Sequence, residues 1–263
     1  VIAFHGFDRG AKEMENFMPL YDANTSMLSV SLLHHGSSKP LPPLPIKEPL
    51  HPKLLINAIE SHIGLDNVRL ELLGYSMGAR IAIKLFEEFP EKFSRIIALA
   101  PDGLKMGMLY KFVVNTRIGR YTWKLIDKYP KTNRAILDAI RSLRIISEHK
   151  YRFGTFHTDN PEIRQRVAYG WVGHKEFWAE KTKLANVLKD NACSEKPVFF
   201  IFGSRDKIIP YSWSIPLQEK LEQVCSFEET ICGVYFLEVP SGHVMRHLNI
   251  VEAIKEKIWK TIG

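Results

Sequence analysis

No run of apolar residues in this 263-residue chain reaches the roughly 18–20 that a helix needs to cross a bilayer. The N-terminus also lacks a charged region followed by an apolar stretch, so no signal peptide is read and a cytoplasmic location is expected. Cysteine is scarce. Cys193, Cys225 and Cys232 show no metal-ligand spacing and cannot all pair, so reduced thiols are expected, although Cys225 and Cys232 could bridge in principle. Neither a metal nor a cofactor is expected. No internal repeat is present, and no nucleic-acid-binding motif accompanies the net charge of +7. With 45% hydrophobic and 25% charged residues, the composition argues against disorder. The length suffices for one large α/β domain or for a core with an insertion. The chain opens on Val1 inside a strand-like run without an initiator methionine. Trimmed residues are expected ahead of it, and whether they held a targeting segment stays open.

What is present is an alternation of strands and helices. Val1–Phe4 reads as a buried strand ending at His5-Gly6, and Ser26–Leu33 as a second strand. A proline-rich loop follows from His34 to Pro52. Its run Pro40-Leu41-Pro42-Pro43-Leu44-Pro45 contains a P-x-x-P pattern, read as loop in preference to a polyproline ligand. Leu54–Ile63 has helical spacing, Val68–Leu73 reads as a strand, and Ala79–Phe86 as a helix. Phe93–Ala100, Val198–Phe202 and Val234–Val239 are further strands, and His247–Ile262 a final helix. Strands separated by helices predict a doubly wound, mostly parallel sheet flanked by helices.

Between Leu104 and Asp190 the alternation stops. That segment is helix-like and rich in aromatics, among them Trp123, Tyr151, Trp171 and Trp178. The division expected is a core of residues 1–103 and 191–263 with a helical lid inserted at 104–190. The lid carries the basic character: 18 Lys/Arg against 8 Asp/Glu, while the remainder holds 18 against 21. Such a surface would steer anionic small-molecule substrates or acyl carriers, or rest on an anionic membrane. The plainer reading is that Lys and Arg solvate exposed helix faces.

The strand at 68–73 runs into Gly74-Tyr75-Ser76-Met77-Gly78 and then directly into a helix. A serine on so sharp a strand-to-helix turn, with glycine two residues away on each side, is a nucleophile elbow. Its hydroxyl stands at a helix N-terminus, where backbone N–H groups favour developing negative charge. A serine needs a base, an orienting acid and an oxyanion hole. In a parallel sheet these come from strand ends on the same edge. Asp206 follows the 198–202 strand and His243 follows the 234–239 strand, giving the order Ser76, Asp206, His243. Asp102, after the 93–100 strand, is the rival acid, and His247 a weaker candidate base. The oxyanion donors assigned are the backbone N–H groups of Met77 and Phe7, with Gly6 allowing the tight turn that aims the second. His5 is read as structural, and His34, His35, His157 and His174 show no partner in sequence.

In order and together, His5-Gly6-Phe7, His34-His35-Gly36-Ser37-Ser38, Gly74-Tyr75-Ser76-Met77-Gly78, Gly203-Ser204-Arg205-Asp206 and Gly242-His243 resemble the α/β-hydrolase superfamily over essentially the whole chain. The two strands that usually precede the His-Gly strand are absent here or trimmed away, and Ala79 stands where glycine is common. A serine at the elbow argues against epoxide hydrolases and dehalogenases, which carry aspartate there. The resemblance implies a serine hydrolase cleaving an ester or thioester of a small or medium acyl substrate through an acyl-enzyme. Arg80, four residues past the nucleophile, is similar to the elbow of the menaquinone-pathway synthase, where an arginine binds substrate carboxylate. It implies an alternative, a carbon–carbon hydrolase or lyase acting on a carboxylated substrate. A solvent-facing Arg80 is the commoner arrangement for a helical arginine. A non-enzymatic small-molecule receptor is the third reading.

Overall fold

The computed structural model describes residues 1–38, 49–64, 70–192, 196–225 and 233–262. The P-x-x-P run, Val68, Cys193 and Cys232 lie outside the described residues. In chain order the elements are β1 (Ile2–Phe4), a 3-10 helical stretch (Ala11–Leu20), β2 (Leu28–Val30), α1 (Pro52–Ile63), β3 (Leu70–Tyr75), α2 (Met77–Glu88) and β4 (Phe93–Leu99). Then follow α3 (Met108–Asn115), α4 (Arg117–Lys128), α5 (Pro130–Ser142), α6 (Glu148–Asp159), α7 (Pro161–Gln165) and a π-helical turn (Arg166–Trp171). The chain closes with α8 (Lys181–Ala192), β5 (Val198–Gly203), α9 (Ile215–Val224), β6 (Val234–Val239) and α10 (Leu248–Ile262). It divides into two compact units, one of residues 1–32, 51–105 and 176–263, the other of 33–50 and 106–175.

The first unit holds a six-stranded sheet in the order β2-β1-β3-β4-β5-β6, every pairing parallel. β5 (Val-Phe-Phe-Ile-Phe-Gly) is buried at every position, as a sheet covered on both faces requires. On one face Ala3, Leu73, Tyr75, Leu99 and Ile201 pack against Met14 and Phe17 of the 3-10 stretch and against Val251, Ile254 and Ile258 of α10. On the other face α2 lies along β1, β3 and β4, with α1 and α8 beside it. The 3-10 stretch was not read from sequence, where Pro19 and a mixed polar pattern hide it. β2 is shorter than the expected 26–33.

Within this unit residues 176–192 are bound to α2. The Glu180 N–H donates to Glu87 Oε2 at 2.7 Å, Lys183 pairs with Glu88 at 2.9 Å, and Phe177, Leu184 and Leu188 are buried. The Glu87 carboxylate is itself buried and paired with Lys84.

The second unit is helical. Residues 33–38 and 49–50 join it through local bonds: Leu50 N–H to the Gly173 carbonyl at 2.8 Å, Arg166 Nε–H to the His34 carbonyl at 3.3 Å, and His34 stacked on Tyr169 at 5.6 Å between ring centroids. Its centre is Trp123, Tyr110, Trp171 and Ile163, with Trp123 Nε1–H donating to the Arg164 carbonyl (3.0 Å) and the Tyr110 hydroxyl to the Trp171 carbonyl (3.0 Å). Among the described residues no helix is long and apolar enough to cross a membrane.

Candidate active site

Because the sheet is parallel, every strand delivers its C-terminal residue to one edge, and the candidate residues all follow from that edge. Ser76 caps β3 and begins α2 with φ 53° and ψ −117°. For a non-glycine residue this is a strained conformation, held only where the surroundings over-determine it. Here they do: the Ser76 N–H donates to the Leu99 carbonyl at 2.8 Å and the Ser76 carbonyl accepts from Ala79 at 2.9 Å. The flanking glycines are required by close approach. A Cβ on Gly78 would lie 2.0 Å from the Phe4 carbonyl oxygen, and one on Gly74 would lie 2.4 Å from Ala79 Cα. The first turn of α2 therefore rests directly on the end of β1, next to residues 5–7.

His243 follows β6, and its Nε2 stands 3.1 Å from Ser76 Oγ. On the other side of the ring Nδ1–H donates to Asp206 Oδ2 at 2.7 Å. The Asp206 carboxylate is wholly buried, and its second oxygen accepts from Ile208 N–H (2.7 Å) and Ile209 N–H (3.0 Å). The imidazole remains 21% exposed. A third glycine brings the two loops together: a Cβ on Gly203 would meet the Gly242 carbonyl oxygen at 2.4 Å. Tyr75, the residue before Ser76, donates its hydroxyl to the His243 carbonyl at 2.8 Å and lies 5.9 Å from the imidazole between centroids. Burial pushes the Tyr75 phenol up to about 12, so it stays a donor across the working range of pH.

Met77 is the first residue of α2, where backbone N–H groups have no intrahelical acceptor. Phe7 follows β1 two residues after His5. Gly6 has neither a left-handed φ nor a tight contact: a Cβ there would lie 3.4 Å from the Tyr75 ring. The expected need for glycine at this turn is not met. The loop is held by side chains instead. His5 is buried, its Nδ1–H donating to the Gly6 carbonyl (2.7 Å) and its Nε2 accepting from Leu32 N–H (3.0 Å). Burial lowers its pKa, ahead of the raising effect of the Gly6 bond, and the two bonds fix a neutral ring.

Sequence reasoning missed Glu13. Its Oε2 accepts the Gly6 N–H at 3.2 Å, while Oε1 lies 3.6 Å from Arg9 and 3.5 Å from Arg246 on the segment after His243. Desolvation raises its pKa against the lowering by Gly6 and the two arginines. An open depression of about 390 Å³ lies here, lined by Arg9, Lys12, Glu13, Glu15, Asn16 and Arg246. Only the placement of a glutamate seven residues after the His-Gly pair could have signalled it.

The rival residues fall elsewhere. Asp102 stands 3.9 Å from Arg80 Nη1. Arg80 is 1% exposed, its guanidinium 4.7 Å above the Trp178 ring, so the solvent-facing arrangement does not occur. His247 is exposed at the start of α10, its carbonyl accepting from Ile250 and Val251. His157 and His174 each donate from Nδ1 to the carbonyl four residues earlier, Phe153 and Gly170, at 2.7 Å, and His35 bonds the Leu33 carbonyl at 2.8 Å. Among the described residues no group of three or more His, Cys, Asp or Glu is placed to hold a metal ion.

Residues 28–244 match the family described as the alpha/beta hydrolase fold. The chain belongs to that family. A comparison with curated protein sequences gives no match. Among solved structures this hydrolase is similar to MGS-M2, an α/β hydrolase enzyme from a Medee basin deep-sea metagenome library, at TM-score 0.61 and 15% identity, covering 100% of this chain and 88% of that one. It is similar to a thermophilic esterase from Thermogutta terrifontis at TM-score 0.58 and 15% identity, covering 100% and 90%. A thioesterase domain from the curacin biosynthetic pathway gives 0.56 at 14% identity, covering 98% and 90%. At these identities the likeness is one of fold.

Proposed function

We propose that this hydrolase cleaves an ester or thioester of a small or medium acyl substrate through an acyl-enzyme on Ser76. The observation that carries the reading is the unbroken path from Ser76 Oγ through His243 to the buried Asp206, at 3.1 and 2.7 Å. His243 Nε2 takes the hydroxyl proton as Oγ attacks the acyl carbonyl. Asp206, tied to two backbone N–H groups, cannot swing away, so it holds the Nδ1–H tautomer and steadies the imidazolium. The tetrahedral oxyanion is received by the Met77 and Phe7 N–H groups. His243 then passes its proton to the leaving alcohol or thiol, and in the second half activates a water that releases the acid. That an esterase and a thioesterase domain are among the similar structures supports this reading.

Arg80 supports this reading over the carboxylated-substrate one. Enclosed by Trp178 and facing Asp102, it acts in packing and its charge is offset within the core unit. The basic character of residues 104–190 favours an anionic small-molecule substrate, which salt would weaken.

The test is hydrolysis of p-nitrophenyl esters from acetate to palmitate by wild type and Ser76→Ala. Turnover that disappears in the variant, with a covalent adduct trapped on Ser76 by a fluorophosphonate, is expected. A folded wild type inert on every ester and thioester would sink this reading in favour of the carbon–carbon lyase or the receptor.

A further inference from the structure

The helical unit has a surplus apolar surface. α4 carries two apolar faces. At 100° per residue, Gly119, Trp123 and Ile126 fall together on one side. Trp123 is buried there, with its Nε1–H on the Arg164 carbonyl, and a Cβ on Gly119 would meet the Phe112 carbonyl oxygen at 2.0 Å. That face already supplies the helix's packing. The opposite face holds Lys124, Arg117, Lys128, Tyr121, Leu125 and Ile118 within about 120° of arc. Ile118 is 72% exposed and Tyr121 63%, with Leu125 exposed beside them. The basic residues form one stripe and the apolar residues the next. A second patch lies in the turn after α5, where Leu143 (70% exposed) and Ile145 flank Arg144, itself held at φ 56°.

We infer that this face of α4 docks on an anionic lipid surface. Charge selects the occupant. Residues 106–175 hold fourteen Lys/Arg against five Asp/Glu, so a second copy would bring the same positive charge to the contact, whereas anionic headgroups neutralise it. The stripe pattern fits a helix lying in the interface plane: Ile118, Leu125 and the Tyr121 ring enter the acyl boundary while Lys and Arg stems reach up to the phosphates. Among the described residues no helix is long and apolar enough to cross a membrane. The association is therefore peripheral, reversible and salt-sensitive, and it stands apart from the ester-cleaving reading.

The experiment uses the full chain with vesicles of phosphatidylcholine alone or with about a third phosphatidylglycerol, read by co-sedimentation. Binding to the anionic vesicles is expected to be about tenfold or more tighter than to neutral ones, and to weaken at least that much between about 0.05 and 0.5 M salt. Ile118→Ser with Leu125→Ser, and separately Lys124→Glu with Lys128→Glu, should each lose about tenfold in affinity, with the far-UV spectrum and melting temperature kept. Should the apolar pair melt early, the charge-reversal pair decides. No binding, equal binding to both vesicles, or charge reversal without effect would overturn the inference. So would a vesicle-free dimer, by sedimentation equilibrium, that the Ile118/Leu125 pair dissociates, since the face would then belong to a second copy.

Discussion

At the carboxyl edge of the sheet the backbone itself is the obstacle: Gly78 sits so close to Phe4 that one added carbon would collide with a carbonyl oxygen at 2.0 Å. In α5, by contrast, no side chain is buried. That helix is tied to α6 by exposed groups, Arg134 to Asp159 and Arg141 to Glu148. Backbone contacts of the first kind admit almost no adjustment, because interiors are close-packed and a main chain cannot rotate aside. Exposed ion pairs of the second kind are screened and individually weak. The residues proposed to do the chemistry sit where the molecule has least freedom. α5 carries no constraint of that kind.

The largest expected effect tests whether the rigid edge is also the working one. Asp206→Asn should lower kcat about 10³–10⁴-fold while leaving the fold intact, because the amide favours the wrong imidazole tautomer. Asp102→Asn should change kcat less than about threefold. Equal losses from the two would mean that the Asp206–His243 contact is not the operative one.

Next come two glycine substitutions of opposite sign, followed by denaturant unfolding. Gly78→Val should cost about 3 kcal/mol or more, since its neighbours are main-chain atoms. Gly154→Ala in α6 should gain about 0.5–1 kcal/mol, for its Cβ would meet only the ends of Leu137 at 3.7 Å. A tolerant Gly78 or a damaging Gly154→Ala would remove the contrast.

His5→Asn breaks one of two buried bonds and should cost about 1–3 kcal/mol. It also carries a pH signature. The folded protein needs the neutral ring, its pKa lying below the ordinary 6.5. The stability His5 supplies is therefore complete above pH 6.5 and is lost as pH falls through that value. The raised carboxyl of Glu13 acts in the opposite sense from its ordinary 4.5 upward, so the quantity to read is wild type minus variant. That difference should shrink from pH 7.5 to pH 5.5. A constant difference would mean the ring is not held neutral.

The smallest effect is expected from Glu148→Gln, which removes the contacts to Arg141 and Arg152. The melting temperature should barely move, and raising the salt concentration should reproduce whatever change there is. A large loss would show that these exposed pairs, and not the Trp123 centre, hold the helical unit.

How far the sequence carried can be followed along the chain. The elbow was legible because strand, turn and helix are contiguous and the glycines at 74 and 78 report a steric fact about their own neighbourhood. Asp206 and His243 were legible because each follows an apolar strand and a glycine that a parallel sheet must place on the same edge. Glu13 was not, since its partners Gly6 and Arg246 lie 7 and 233 residues away and a glutamate on a polar stretch reads as solvated. The environment of residues 176–192 was equally hidden. Their attachment rests on Glu87, a charged residue whose burial no periodicity announces. The burial of Arg80 was hidden for the same reason: the ring that covers it, Trp178, is 98 positions on.

The hydroxyl of Tyr75 reaches across 168 residues of chain to hold the backbone of His243. A ribosome must therefore pass residue 243 before Ser76 and His243 can meet. Until then the serine is an ordinary alcohol on a nascent chain, unable to acylate itself or attack its surroundings. If His243 is the base proposed, hydrolytic turnover during translation should appear only after residue 243 has been made and β6 has joined the sheet.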